Sequence, residues 1–383
     1  MKHNNTFRIL TVFATVVIIA ASIIFFGSAH YVSEPPPVQE APPVMVSHTP
    51  QPEPSIPPTP EPTPEPTPEP EPEHFTITML GDCTLASNIH NVKLSNSYNN
   101  VVGDDYKYPF ALTVDYFDDD DFTIANLECV LTNSTKATSK NFVFRAPPEY
   151  VNILKEGSVE FVTLGNNHVL DFGQEGYEDT MAALESEGIG YAGRDDWSLY
   201  TTDRGLVIGI YALSFGNVQQ IQAGIAALKE EGAEFIIAAL HWGDEGSYKV
   251  NELQRTQGRA AIDAGADIVY GTHPHTLQPV EEYNGKYIYY CLGNWTFGGN
   301  TNPRDKDTVI AQLEVVKDVD GSVYVADRKH IPCASSGVVS GNNYQPVPYE
   351  EGSEEYYRTL SKLDGTFTGP DLSIGYEYDF NEY

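Results

Sequence analysis

The residues best equipped for chemistry in this chain are His273 and His275, which flank Pro274. They directly follow an apolar run at 266–270. If that run is a strand, both imidazoles leave the sheet at its carboxyl end, where open α/β sheets place their ligand sites. Neutral imidazole is the commonest metal ligand. The same arrangement, an apolar run followed at once by polar groups, recurs at Asp82, at Glu128, at Asn167 with His168, and at His241. Such a mixture of carboxylate, amide and imidazole suits one or two borderline divalent ions, Mn, Zn or Fe. Two such ions polarise a phosphoryl oxygen and activate water at neutral pH.

In this scheme Asp82 bridges and Asn167 ligates through its carbonyl oxygen. Glu128, His241, His273 and His275 complete the metal ligands. His168 stays free as a general acid, oriented by Asp171 three residues on. Each residue also has a plainer reading. Asp82 is a turn residue or helix cap, Glu128 pairs with a surface arginine, Asn166 and Asn167 form a turn, His168 makes a structural hydrogen bond, and His241 packs beside Trp242. All of these would have to hold together at five strand ends, which favours a metal or substrate site.

The elements that must position these groups alternate. Strands are expected at 75–80, 122–127, 160–164, 206–213, 235–240, 266–270 and 286–292. Apolar periodicity places helices over 174–187, 218–231 and 252–264. Strands alternating with helices predict an α/β sheet covered on both faces. A later antiparallel pair is expected at 308–316 and 322–330, joined at Asp320-Gly321. The acidic, tyrosine-rich residues 336–383 read as a C-terminal extension that either packs across the domain or trails off.

Ahead of the folded part, residues 1–8 carry Lys2 and Arg8, and 9–26 run without a charge. That length fits a transmembrane signal anchor over 9–29 better than a cleaved signal peptide. The positive flank puts residues 1–8 in the cytoplasm and the rest outside, at the cell membrane. Residues 30–73 hold most of the 27 prolines and repeat Glu-Pro-Thr-Pro. Such a segment cannot build a core. As polyproline II it would reach on the order of 120 Å, enough to lift a domain through a cell wall. The net charge of −32 excludes nucleic acid as a natural partner, because phosphate contacts need clustered Lys and Arg. Any anionic substrate needs local help from metal or arginine. Four cysteines are too few for a disulfide scaffold and read as small buried strand residues.

Taken together, Gly81-Asp82, Asn126-Leu127-Glu128, Asn166-Asn167-His168 with Asp171 and Gly173, Phe144-Arg145-Ala146-Pro147-Pro148-Glu149, Gly193-Arg194, His241-Trp242-Gly243 with Glu245, His273-Pro274-His275 and Leu292-Gly293-Asn294 resemble the motifs of the CapA family of poly-γ-glutamate capsule synthesis proteins. The likeness runs over about 75–332. It implies a domain at 74–335 similar to the calcineurin-like metallophosphoesterases, a four-layer β-sandwich flanked by helices with a two-metal site. By that likeness Asn167-His168 supplies a ligand and an acid, His273 and His275 are the paired histidines, and His241 the lone one. The departure is at the start. Metallophosphoesterases open with Asp-x-His, whereas Asp82 is followed by Cys83-Thr84. One ligand is therefore missing or replaced, with Glu128 as the candidate.

The resemblance implies a membrane-anchored, extracellular protein that acts in synthesis, export or anchoring of an anionic polymer such as poly-γ-glutamate. Its site would be a metal-dependent hydrolase for that polymer or a phosphorylated substrate. Arg145 and Arg194 are candidates to grip an anion in a bidentate fork, and Asn126 and Glu245 join them as substrate-binding candidates. The rival is a non-catalytic accessory subunit that binds metal or polymer and docks a membrane-bound polymer synthase.

Overall fold

The computed structural model describes residues 71–370 and Leu372. The first half supplies β1 (Glu73–Thr84), α1 (Tyr98–Val102), β2 (Phe122–Leu127), β3 (Val130–Leu131), β4 (Arg145–Ala146), α2 (Val151–Glu156), β5 (Phe161–Thr163), α3 (Gly173–Glu187) and β6 (Gly190–Ala192). Then follow β7 (Asp196–Thr201), β8 (Val207–Ser214), α4 (Val218–Glu230), β9 (Phe235–His241), α5 (Glu252–Ala264), β10 (Ile268–Thr272), β11 (Val280–Tyr283) and β12 (Lys286–Tyr289). The chain ends with β13 (Asn294–Phe297), β14 (Asp307–Lys317), β15 (Val323–Ala334), β16 (Val347–Pro348) and α6 (Glu354–Leu363).

These strands make two sheets. The larger has the order β16-β15-β14-β1-β2-β5-β6, with β13 added beside β1. The smaller has the order β11-β12-β10-β9-β8-β7. The sheets pack face to face. Ile77, Met79 and Ile124 of one meet Ile210, Ile237 and Tyr270 of the other in a single buried cluster. On the outer face of the larger sheet, Leu80 and Leu127 pack with Ile153, Leu154 and Leu184 of α2 and α3. On the outer face of the smaller, Tyr211 and Ala238 pack with Ile221, Ile225 and Ile262 of α4 and α5. The result is four layers, helix, sheet, sheet, helix, as expected. Strands covered on both faces need continuous apolar sequence, and β9 is buried along its whole length.

Local signals set several boundaries. Helices α4 and α5 start at capping boxes, Asn217 with Gln220 and Asn251 with Gln254, which satisfy orphan N–H groups reciprocally. β2 and α5 occupy the expected spans. β1 does not stop at residue 80. It runs on through Gly81 and Asp82 to Thr84, so Asp82 is neither a turn residue nor a helix cap. Glu73, placed at the end of the expected linker, already pairs with Lys317. The strand expected over 286–292 ends at Tyr289, and β13 begins five residues later beside β1.

The expected break at 335 does not divide the fold. Tyr344 is fully buried, β16 pairs with Cys333 and Ala334, and Leu363 of α6 joins the inter-sheet core. All four cysteines are free and buried. Among the described residues no helix is long and apolar enough to cross a membrane. The expected signal anchor at 9–29 and nearly all of the proline-rich segment lie outside the described residues.

Candidate metal centre

The parallel strands of both sheets deliver their carboxyl ends to one edge of the sandwich. β1 and β2 run parallel, with Asp82 beside Asn126, and β9 and β10 run parallel, with His241 beside Thr272. Two glycines permit the closeness. A Cβ on Gly81 would lie 2.1 Å from the Gly293 carbonyl oxygen, and one on Gly271 would lie 2.2 Å from that of Tyr290. After β10 the chain takes unusual backbone angles. His273 has φ 99° and His275 φ 58°, a region that non-glycine residues rarely enter. Strain of this kind persists where surrounding contacts over-determine it, and it concentrates at functional sites.

Asp82 and Glu128 are fully buried. Asp82 accepts from the Asn126 side chain at 2.8 Å and lies 3.3 Å from His275 Nδ1. Asn126 in turn accepts from Thr163 and Asn166, so it braces Asp82 and the turn after β5. Glu128 reaches between the histidines, 3.5 Å from His241 Nε2 and 3.9 Å from His275 Nδ1. Among the described residues it has no arginine partner, contrary to its plainer reading. His241 Nδ1 meets Thr272 Oγ1 at 2.9 Å, and its Nε2 meets the Asn167 side-chain oxygen at 2.8 Å. His275 Nδ1 lies 2.9 Å from Asn294 Oδ1. Donor atoms of Glu128, His273 and His275 all fall within 4.8 Å of one another.

Two buried carboxylates crowd the nest, and His275 is the imidazole that answers their charge. Burial pushes the Glu128 carboxyl well up, and the charges of Asp82 and Glu245 add to this against the pull of His275. Burial opposes a charge on His275, yet Glu128 and Asp82 outweigh it and lift its pKa to about 10. Burial and the neighbouring His275 push His273 down to about 3. Burial and the other histidines hold His241 well below its ordinary value. Glu128 Oε1 and His273 Nδ1 are buried without any hydrogen-bond partner among the described residues. Orphaned buried polar atoms are rare and call for an explanation. A divalent cation would accept both lone pairs, so the residues present fit a metal.

His168 stands beside this nest, close enough for its charge to act on His241 and His273. Its Nδ1 lies 2.8 Å from Asp171 Oδ2. Asp171 is fully buried and also accepts from the Phe144 N–H at 2.8 Å and from Lys140 Nζ at 2.9 Å. Lys140 donates a second bond to the Asn167 carbonyl at 2.8 Å. Lys140 was not legible as a site residue, because it lies in an exposed polar stretch with no periodic pattern. The aromatic rim was also missed. Phe144 packs on His168 with 4.6 Å between ring centroids, Phe297 on His275 at 4.8 Å, and Phe215 on His273 at 4.8 Å. Phe215 is 54% exposed and has φ 48°.

The remaining candidates divide. Glu245 lies near enough for its charge to act on Glu128 and His275. Arg145 donates to the Ser134 carbonyl at 2.6 Å and lies over the Phe172 ring, next to Asp171 in sequence. Arg194 is exposed, and its backbone N–H donates to Tyr177. The structure does not join its guanidinium to the cluster. Thr84 occupies the position where the resemblance expects a histidine, and its Oγ1 lies 3.5 Å from Glu128 Oε2.

Fold and site together define a four-layer α/β protein with a buried imidazole–carboxylate nest at its parallel strand ends. The chain belongs to the bacterial capsule synthesis protein family PGA_cap, whose match covers residues 76–299. It is 29% identical over 273 residues to the capsule biosynthesis protein CapA of Bacillus anthracis, covering 63% of this chain and 64% of that one. It is 30% identical over 228 residues to the PGA biosynthesis protein CapA of Bacillus subtilis strain 168, covering 52% of this chain and 59% of that one. The matched part thus spans about three fifths of the length of these curated relatives. A probable polyglutamine synthesis accessory protein of Mycobacterium tuberculosis is 28% identical over 227 residues, 50% of this chain and 60% of that one. Among solved structures, an NAD nucleotidase of Haemophilus influenzae overlaps 79% of this chain and 65% of that one, at 13% identity and a TM-score of 0.38.

Proposed function

We propose that this protein acts in poly-γ-glutamate capsule biosynthesis, export or anchoring, through a metal-dependent hydrolytic site of metallophosphoesterase type. The observation that carries this reading is the pair of orphaned, buried donor atoms on Glu128 and His273, converging with His275. Glu128, His273 and His275 would hold one divalent ion, Mn, Zn or Fe. Asp82, Asn167 and His241 adjoin them and would serve a second. Such an ion supplies Lewis acidity towards a phosphoryl or acyl oxygen.

The protein groups do the rest. Asp171 accepts a hydrogen bond from His168 Nδ1–H and leaves Nε2 free to donate to a leaving group. Asn126 fixes Asp82. The Phe144, Phe215 and Phe297 rings wall the imidazoles and lower the local dielectric. The substrate class is an anionic polymer or a phosphorylated precursor. In such an acidic chain the metal, with Arg145 as a further candidate, would supply the attraction. The domain would work outside the cell membrane, held by the 9–29 segment and linker, in company with a membrane-bound polymer synthase.

A screen of metal-loaded protein against phosphoesters and γ-linked oligoglutamates tests the reading. Hydrolysis lost in His168→Ala with metal retained is the expected result. Equal rates in wild type and variant would leave the accessory reading, which Thr84 favours by standing where a metal-binding histidine is expected.

A further inference from the structure

The C-terminal helix α6 lies outside the family match, which ends at residue 299. It carries Lys362, which is 3% exposed. Its Nζ donates to both oxygens of Asp305, at 2.9 and 2.7 Å, and to Asp307 at 2.7 Å. Arg358, one turn earlier, grips Asp307 with two bonds of 2.8 and 2.7 Å. On the far side Asp305 Oδ2 accepts from the Tyr248 hydroxyl at 2.9 Å. The Lys362 Nζ sits 4.8 Å from the Tyr248 ring centroid, and Phe367 packs on that ring at 5.0 Å.

Tyr248 belongs to the loop after β9, which also carries Glu245. The other side of this loop is fastened to the histidine turn. Gly246 N–H donates to the Pro274 carbonyl at 2.8 Å. The Ser247 carbonyl accepts from Thr276 Oγ1 at 3.0 Å and from the Gln278 side chain at 2.9 Å. A chain of direct contacts therefore runs from α6 through Asp305 and Tyr248 to the residue between His273 and His275.

A buried lysine between two carboxylates is poorly explained by stability alone. Desolvation offsets most of the Coulombic gain, and a well-packed apolar side chain often does as well. The best-attested use of such groups is to fix register. Here the register fixed is that of α6 and of the 243–250 loop against the strand ends.

We propose that Lys362, Asp305 and Tyr248 are positioning residues for the metal nest, so that the C-terminal segment sets the geometry of the His273-Pro274-His275 turn. The positional part stands on these contacts alone. Its consequence for metal rests on the site proposed above.

The test is hydrogen–deuterium exchange of the full-length protein in detergent, wild type beside Tyr248→Phe and Lys362→Met, with manganese affinity measured by calorimetry on the same samples. Tyr248→Phe keeps the ring and removes only the hydroxyl, so it remains informative if Lys362→Met does not fold. Exchange at 243–250 and 273–276 is expected to rise about tenfold on loss of this charge-assisted bond, with the sheets unchanged. Manganese should bind more weakly in the same variant. Unchanged exchange in these two segments overturns the proposal. Faster exchange with wild-type manganese affinity overturns the positioning role. Wild-type protein that binds no manganese overturns the metal site itself, and the exchange data tell that result apart from a failed clamp.

Discussion

The Asp171 carboxylate meets the His168 imidazole at 2.8 Å through one oxygen and the Lys140 ammonium at 2.9 Å through the other. This fixes which face of the imidazole is free. Nδ1 is engaged, so Nε2 is the atom available for proton transfer. His168→Ala should lower hydrolysis by on the order of a hundredfold or more and leave bound metal unchanged, read by steady-state rates beside metal content. Asp171→Asn, which can present the wrong partner to Nδ1, should fall in the same direction.

Metal binding to the folded nest should stabilise the protein, because the unfolded chain offers no preformed site. At a hundredfold excess over its dissociation constant, manganese adds about 2.7 kcal/mol. For a domain of this size that is a rise in melting temperature of about 5 °C. Scanning calorimetry with and without chelator reads it. The rise should vanish in His273→Ala/His275→Ala.

Gly81→Ala should be far more damaging than a typical strand substitution. The added methyl would sit 2.1 Å from a backbone carbonyl of Gly293, which cannot swing aside as a side chain would. Overpacking of this kind costs about 3 kcal/mol or more. Denaturant unfolding should show that loss, with metal affinity falling too because Asp82 follows directly.

Asp307 gives the fold a defined response to acid. Burial alone would raise its carboxyl pKa, but the Arg358 bonds and the Lys362 charge outweigh burial and hold it below the ordinary value. A carboxylate depressed on folding contributes stability in full above its unfolded pKa, near 4, and loses it as pH falls through the lower folded value. Wild type should therefore lose stability as pH falls below about 4, the unfolded value, and on through the depressed folded one. Asp307→Asn should be weaker at neutral pH by about 1.5–3 kcal/mol, the loss of the charge-assisted bonds to Lys362 and Arg358, since Lys362 keeps Asp305. Its decline with acid should be shallower. Thermal melts across pH read both effects.

Much of the site was legible because one physical rule generates it. Parallel strands buried on both faces are apolar until they end, and at the ends polar groups emerge together. Thus β2 and β9 pointed directly to Glu128 and His241. What was hidden depends on long-range packing. Asn294 and Thr272 partner the histidines only because β13 lies beside β1 and β10 beside β9. Lys140 reaches Asp171 across 31 residues from a stretch with no periodic signal. The tyrosine-rich C-terminal composition gave no warning that Tyr344 is core or that Lys362 is buried. Arg194 shows the converse: a residue within a motif can lie exposed, away from the cluster.

The most direct test is the metal content of the full-length protein, purified in detergent without chelators and measured by inductively coupled plasma mass spectrometry, wild type beside His273→Ala/His275→Ala. The nest of Glu128, His273 and His275 predicts one to two equivalents of Mn, Zn or Fe in wild type, lost in the variant. Wild-type protein free of such metal, or equal content in both proteins, would contradict it.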